Sequence, residues 1–140
     1  MKHLLTALLL LAAAACQGVQ PGLAPNTAAE SAAVRVVDAS VDAYNRHDLD
    51  AYAALYASNA RVYLHPGEVI TAGTQQLRAR YRDQWRDNPR LRVQVTDRMV
   101  QGNFVIDQQN SVGWADGQDV RVVAMYEIRN GRIQNVWFVR

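Results

Sequence analysis

Hydrophobic positions along this chain follow three regimes. Leu4 to Ala12 is an unbroken apolar run behind Met1-Lys2-His3. From Thr27 to Trp85 apolar residues recur mainly at helical spacing, and from Leu91 onward they alternate with polar ones. Thr27-Ala28-Ala29-Glu30 has the form of a capping box, in which a hydroxyl and a carboxylate satisfy the first free amides of a helix. The helix it opens carries Val34, Val37, Val41 and Tyr44 as one stripe. Asn45-Arg46-His47 breaks it, with His47 expected in an exposed loop. Asp48 is placed to cap a shorter helix whose inner face is Leu49, Tyr52, Leu55 and Tyr56. Arg61-Val62-Tyr63-Leu64-His65 predicts a short strand stopped by Pro66-Gly67. Thr74 is expected to cap a third helix that buries Leu77, Tyr81 and Trp85 and ends at Asn88-Pro89.

The rest predicts strands. Leu91, Val93, Val95 and Met99 alternate with Arg92, Gln94, Thr96 and Arg98, a strand with one wet face. Phe104 to Trp114 follows, then a turn at Asp116-Gly117, then the alternation of Val120, Val122, Ala124, Tyr126 and Ile128. Asn130-Gly131 signals a hairpin, because both residues tolerate the positive φ of a type I′ turn. Arg132 to Arg140 closes the sheet with Trp137 and Val139 on one face. Helices first and antiparallel strands afterwards predict an α+β domain.

The 140 residues give room for one domain. Residues 1–15 read as a signal peptide: a positive start, an apolar run too short to span a bilayer, then Ala13-Ala14-Ala15. The single cysteine, Cys16, follows at once, and small residues before a lone Cys resemble a bacterial lipobox. Two readings stay open. Either Cys16 is acylated and tethers a periplasmic-facing lipoprotein in the cell envelope, or the Ala triplet is an ordinary secretion site that releases a soluble protein. In the first case the membrane is met through the N-terminal lipid only. Residues 16–27, rich in Pro and Gly, read as the acylation site and a flexible linker, and residues 28–140 as the folded domain.

Removal of the signal takes away the one lysine, Lys2, and leaves fourteen Arg against thirteen acidic residues. That balance gives no general attraction to nucleic acid. Arg78, Arg82 and Arg86 recur every four residues but are interrupted by Asp83 and Asp87, so they read as a solvated helix face. The two mature histidines and scattered carboxylates lack metal-ligand spacing, and no phosphate loop or nucleophile–base pair is visible. No metal and no cofactor are expected. With one Cys there is no intramolecular disulfide to support the fold.

Several phrases carry a family likeness. They are Tyr44-Asn45-Arg46-His47-Asp48-Leu49-Asp50, Leu55-Tyr56-Ala57, Ala72-Gly73-Thr74, Tyr126-Glu127-Ile128-Arg129-Asn130-Gly131-Arg132-Ile133 and Val136-Trp137-Phe138. In this order they resemble the SnoaL-like branch of the nuclear transport factor 2-like superfamily. The resemblance implies a cone-shaped, strongly curved antiparallel sheet wrapped on helices, a cystatin-like roll, with a pocket between them. It also implies a homodimer through the outer face of the sheet. Relatives include ketosteroid isomerases, cyclases, hydrolases and silent binding domains, so fold does not settle function.

Laid on the isomerase pattern, the basic aspartate falls on Leu64, the oxyanion tyrosine on Ser40 and the protonated aspartate on Ala124. Isomerisation by that mechanism is therefore not expected. His65 and Asp107 remain as catalytic candidates. His65 offers a neutral imidazole at a strand end, although adjacent strand residues point oppositely. Asp107 is either a pocket acid or a polar residue on the outer face of its strand. Tyr63, Leu64, Trp114 and Tyr126 are candidates for lining a pocket that takes a small apolar or aromatic molecule. Two function classes follow: a cell-envelope pocket protein with acid–base chemistry, or a non-enzymatic binding or assembly lipoprotein.

Overall fold

The computed structural model describes residues 27–140. The signal-like segment, the acylation candidate Cys16 and the linker to Asn26 lie outside the described residues. The element order is α1 (Ala28–Asn45), α2 (Leu49–Ala54), β1 (Tyr56–Leu64), β2 (Glu68–Ala72), α3 (Gly73–Asp87), β3 (Arg92–Gln101), β4 (Phe104–Val112), β5 (Val120–Arg129) and β6 (Arg132–Val139). The strands form one open, curled sheet in the order β2-β1-β6-β5-β4-β3. Every neighbouring pair is antiparallel except β1 with β6, which is parallel. Helix α1 lies across β3 to β6, and α3 lies across β1 and β2. No helix among the described residues is long and apolar enough to cross a membrane.

The first helix begins as its sequence dictates. Thr27 accepts a hydrogen bond from the Glu30 amide, and Glu30 accepts one from the Thr27 amide, each at 3.1 Å. Val37 is fully buried and Tyr44 nearly so, with Val34 and Val41 packed against the same core. Asp48 caps α2 by accepting from Ala51 N at 3.0 Å. Three expectations need correcting here. Helix α2 ends at Ala54, and Tyr56 opens β1 instead of finishing the helix. Thr74 lies inside α3, whose N-cap is Ala72; the Gln76 side chain reaches back to accept from the Ala72 amide at 2.8 Å. His47 is half-buried, with its ring stacked on Trp85 at 5.1 Å and Nε2 2.9 Å from the Leu91 carbonyl oxygen. Beside it, the Asn45 side chain donates to Val93 O and accepts from Val93 N, as a strand neighbour would. The helix corner is thereby pinned to the start of β3.

The strands are longer and less regular than their patterns. β1 starts five residues before Arg61, and β2 was not anticipated from the sequence at all. β3 carries a bulge between Val95 and Asp97 in its pairing with β4. An extra residue reverses the faces downstream. Val93 therefore points inward before the bulge, whereas Arg98 and Val100 do so after it, and Met99 is left 58% exposed. The hairpin at Asn130-Gly131 takes positive φ at both residues, 50° and 71°.

Under the helices, Val37, Val62, Leu77, Leu91, Val105, Ile133 and Val136 are sealed from solvent. Each such side chain is worth about 1.5–3 kcal/mol relative to exposure. Tyr44, Tyr52, Tyr81 and Trp85 form an aromatic nest joining α1, α2 and α3, with ring centroids 4.8–5.8 Å apart. That nest forms one wall of the cavity described next.

Candidate functional site

Between the helices and the concave side of the sheet lies a cavity of about 380 Å³. This falls in the range of small-molecule sites. α1 contributes Ser40, Val41 and Tyr44, α2 contributes Tyr52, and α3 contributes Arg80, Tyr81 and Gln84. The sheet supplies an apolar floor from Ile70, Val93, Val120, Val122 and Phe138, with Gln109, Ser111 and Tyr126 as its polar positions. Trp114 and Asp116, in the loop after β4, close one side.

The polar groups of the floor are organised by strand alternation. On β4, Val105, Asp107, Gln109 and Ser111 all face the helices, as their burial shows. Each polar member has a partner. Gln109 Nε2 donates to the Tyr126 hydroxyl at 3.0 Å. Trp114 Nε1 donates to Ser111 Oγ at 3.0 Å, fixing the indole at the mouth. Across the cavity, Gln84 Nε2 donates to the Tyr44 hydroxyl at 2.8 Å. Both phenol oxygens thus accept from an amide, which leaves each O–H free to donate to a ligand. Tyr52 and Tyr56 share a 2.7 Å hydroxyl–hydroxyl bond deeper in the wall. Burial pushes the phenols of Tyr44, Tyr52, Tyr56, Tyr81 and Tyr126 above the ordinary tyrosine value, and the amide donors at Tyr44 and Tyr126 offset this only in part. All five are neutral hydrogen-bonding groups at physiological pH.

Asp107 belongs to a different structure. It faces inward and is fully buried, which rules out the outer-face reading, yet it is not a pocket acid either. Arg98, its partner across β3 and β4, clamps both carboxylate oxygens at 2.6 and 2.8 Å and reaches Asp38 of α1 at 2.6 Å. The bulge in β3 is what turns Arg98 inward to meet it. Asp107 lies one inward position beyond Gln109 and is not among the residues lining the cavity. Its carboxylate is committed to a helix-to-sheet ion triad, away from any ligand.

The other sequence candidates divide. Trp114 and Tyr126 line the cavity. Tyr63 stacks flat on Trp137 at 5.5 Å on the outer face of the sheet, because the β1–β6 register pairs the two residues. Leu64 is half-buried at the end of β1 and is not among the lining residues. His65 sits in the exposed turn after β1, so His65 and Asp107 do not meet in one cavity. Of the isomerase-pattern positions, Ser40 lines the cavity and Ala124 is buried in β5. Tyr44, Tyr52, Tyr81, Gln84, Gln109, Ser111, Arg80 and Arg140 line the cavity without having been singled out for it. Gln109 and Ser111 share the period-two spacing of Asp107, the one signal that pointed to them. Among the described residues no three His, Cys, Asp or Glu side chains converge as a metal site.

Residues 37–136 match the family model of the SnoaL-like domain. No curated protein matches the chain. Solved structures do resemble it. An uncharacterized cystatin-fold protein from Novosphingobium aromaticivorans superimposes with a TM-score of 0.73 at 22% identity, covering 77% of this chain and 97% of that one. A candidate SnoaL-like polyketide cyclase from Jannaschia sp. CCS1 gives 0.68 at 20% identity, over 81% and 88% of the two chains. A candidate ketosteroid isomerase from Kribbella flavida gives 0.67 at 18% identity, over 79% and 78%. At these identities the likeness is one of fold.

Proposed function

The chain belongs to the SnoaL-like family, and from that premise we propose that it binds a small, largely apolar organic molecule carrying an oxygen acceptor. The observation that carries this is the pair of phenols, Tyr44 and Tyr126, each held by an amide so that its O–H is left to donate into the cavity. Apolar side chains of the floor would hold the hydrocarbon body, and the two phenols would fix a carbonyl or hydroxyl oxygen. Structural neighbours described as a candidate polyketide cyclase and a candidate ketosteroid isomerase suggest oxygenated ring compounds as the class. Recognition is favoured over turnover. Proton transfer needs a base within hydrogen-bond reach, and among the lining side chains the sole carboxylate is that of Asp116, whose Oδ1 already accepts from Gln118 N at 3.0 Å.

Calorimetric titration with 2-acetonaphthone, a neutral aromatic ketone, tests the reading. Tyr44→Phe and Tyr126→Phe should each weaken binding by a factor of roughly 2–12, the worth of one net hydrogen bond of about 0.5–1.5 kcal/mol. Unchanged affinity in both variants would contradict it.

We also propose that the outer sheet face pairs with a second copy of the chain. Met99, Ile106, Met125, Trp137, Tyr63 and Val69 are successive cross-strand partners, forming one apolar row from edge to edge. A row of this kind, exposed at both ends and half-buried between them, marks an interaction surface. Sedimentation equilibrium should show a dimer that Trp137→Asp converts to monomer. A wild-type protein that stays monomeric at roughly 100 μM, where a contact worth about 5–6 kcal/mol would already be visible, would overturn the pairing.

A further inference from the structure

Two residues of the cavity lining remain unused by a neutral ligand: Arg80 and Arg140, both exposed at its rim. Arg80 projects from α3 one residue before Tyr81, and Arg140 follows β6 two residues after Phe138. Neither makes a hydrogen bond or ion pair with another described residue. Several arginines elsewhere are held by carboxylates, namely Arg78 by Asp50, Arg86 by Asp83 and Asp87, Arg98 by Asp107 and Asp38, and Arg129 by Glu127; Arg80 and Arg140 differ from the remaining unpaired arginines in lining the cavity. The charge of Arg80 is felt inside, where it opposes the effect of burial on the Tyr81 phenol. The cavity thus has an apolar floor, neutral phenols on its wall and two arginine side chains at its rim against one carboxylate side chain, Asp116.

We propose that the ligand is an amphipathic carboxylate, with an aromatic or alicyclic body in the cavity and its anionic end held by Arg80 and Arg140. This rests on the cavity being the binding site and specifies what enters it. A planar guanidinium matches a carboxylate in two parallel hydrogen bonds, and an ion held at the edge of an apolar cavity is less screened than one on an open surface. The phenols then serve a second oxygen on the body of the molecule, such as a ring ketone or hydroxyl.

The test uses two probes of one shape, 2-naphthoate and 2-acetonaphthone, which differ by O⁻ in place of CH₃. Titrated into the full chain at low salt, the carboxylate should bind about tenfold tighter than the ketone, the size expected of one charge-assisted pair. Arg80→Gln with Arg140→Gln keeps most of each side-chain stem on the exposed rim. In that variant the ratio of naphthoate to acetonaphthone affinity should fall from about ten to about one. The advantage of naphthoate should also shrink as salt is raised. If the ketone binds and naphthoate binds no better, or keeps its advantage in the double variant, the carboxylate assignment is overturned while the cavity reading stands. If neither probe binds wild type, both fall together.

Discussion

Replacing Arg98 by methionine is expected to lower the free energy of unfolding by about 3–5 kcal/mol, the range for stranding one member of a buried ion pair. Arg98 is what neutralises Asp107, a fully buried carboxylate, and it ties β3 and β4 to α1 through Asp38. Without the guanidinium, Asp107 keeps its desolvation cost and loses both of its charge-assisted bonds. The Asp38 contact matters less, since its carboxylate is more than half exposed. Arg98→Met combined with Asp107→Leu should recover most of the loss, because an apolar pair of similar volume replaces a buried ion pair at little or no cost. Urea unfolding of wild type and both variants checks this. A single variant within about 1 kcal/mol of wild type would show that the triad does not hold the helix to the sheet.

The second large effect is expected at Gly113. Its φ is +83°, and a Cβ there would stand 2.2 Å from the Arg90 carbonyl oxygen and 2.7 Å from its carbon. Both obstacles are backbone. The left-handed conformation alone costs an L-residue about 1–2 kcal/mol. Forcing the loops apart adds an overpacking cost of about 1–3 kcal/mol. Gly113→Ala should therefore destabilise by roughly 2–5 kcal/mol on those two terms together. Gly117→Ala is the control, with φ +75° and nothing within 4 Å of the added carbon; it should show the conformational cost alone. Equal losses in the two variants would mean that the close approach to Arg90 is not a constraint. A second contact joins the same two loops. Ala115 N donates to Asn88 Oδ1 at 2.9 Å, so the loop that carries Trp114 is fastened to the turn between α3 and β3.

Several helix and turn features were legible in the sequence through local rules, although the cap expected at Thr74 and the helical place of Tyr56 were not borne out. The capping box at Thr27 and Glu30, the stripe through Val37 and Tyr44, and Asn130-Gly131 depend on near neighbours, and all three form as their residues require. The strand faces were not legible, for a physical reason. Both sides of the sheet carry apolar residues: Val105, Ala124 and Val136 inside, and Ile106, Met125 and Trp137 outside. Alternation then gives a period without a direction. The bulge in β3 reverses the faces within one strand, so Arg98 looked like a wet-face residue and is instead the partner of Asp107. Asp107 stayed open between a pocket acid and an outer polar residue, because Phe104 and Ile106 beside it are apolar too. β2 was hidden by its brevity, five residues with Val69 and Ile70 adjacent. The cavity lining was the least legible part. Gln84, Gln109 and Arg80 are residue types that most often face solvent, and only their convergence from α3 and β4 gives them a common purpose.

On the proposed reading the cavity under α1, and not the outer face of the sheet, receives the ligand through its phenols. A crystal structure of the protein with 2-acetonaphthone bound tests this most directly. The naphthalene should lie between Val122, Phe138 and Trp114, with its ketone oxygen about 2.6–3.0 Å from the Tyr126 or Tyr44 hydroxyl. A ligand lying against Trp137 and Met125 on the outer face, with the cavity left to solvent, would contradict it.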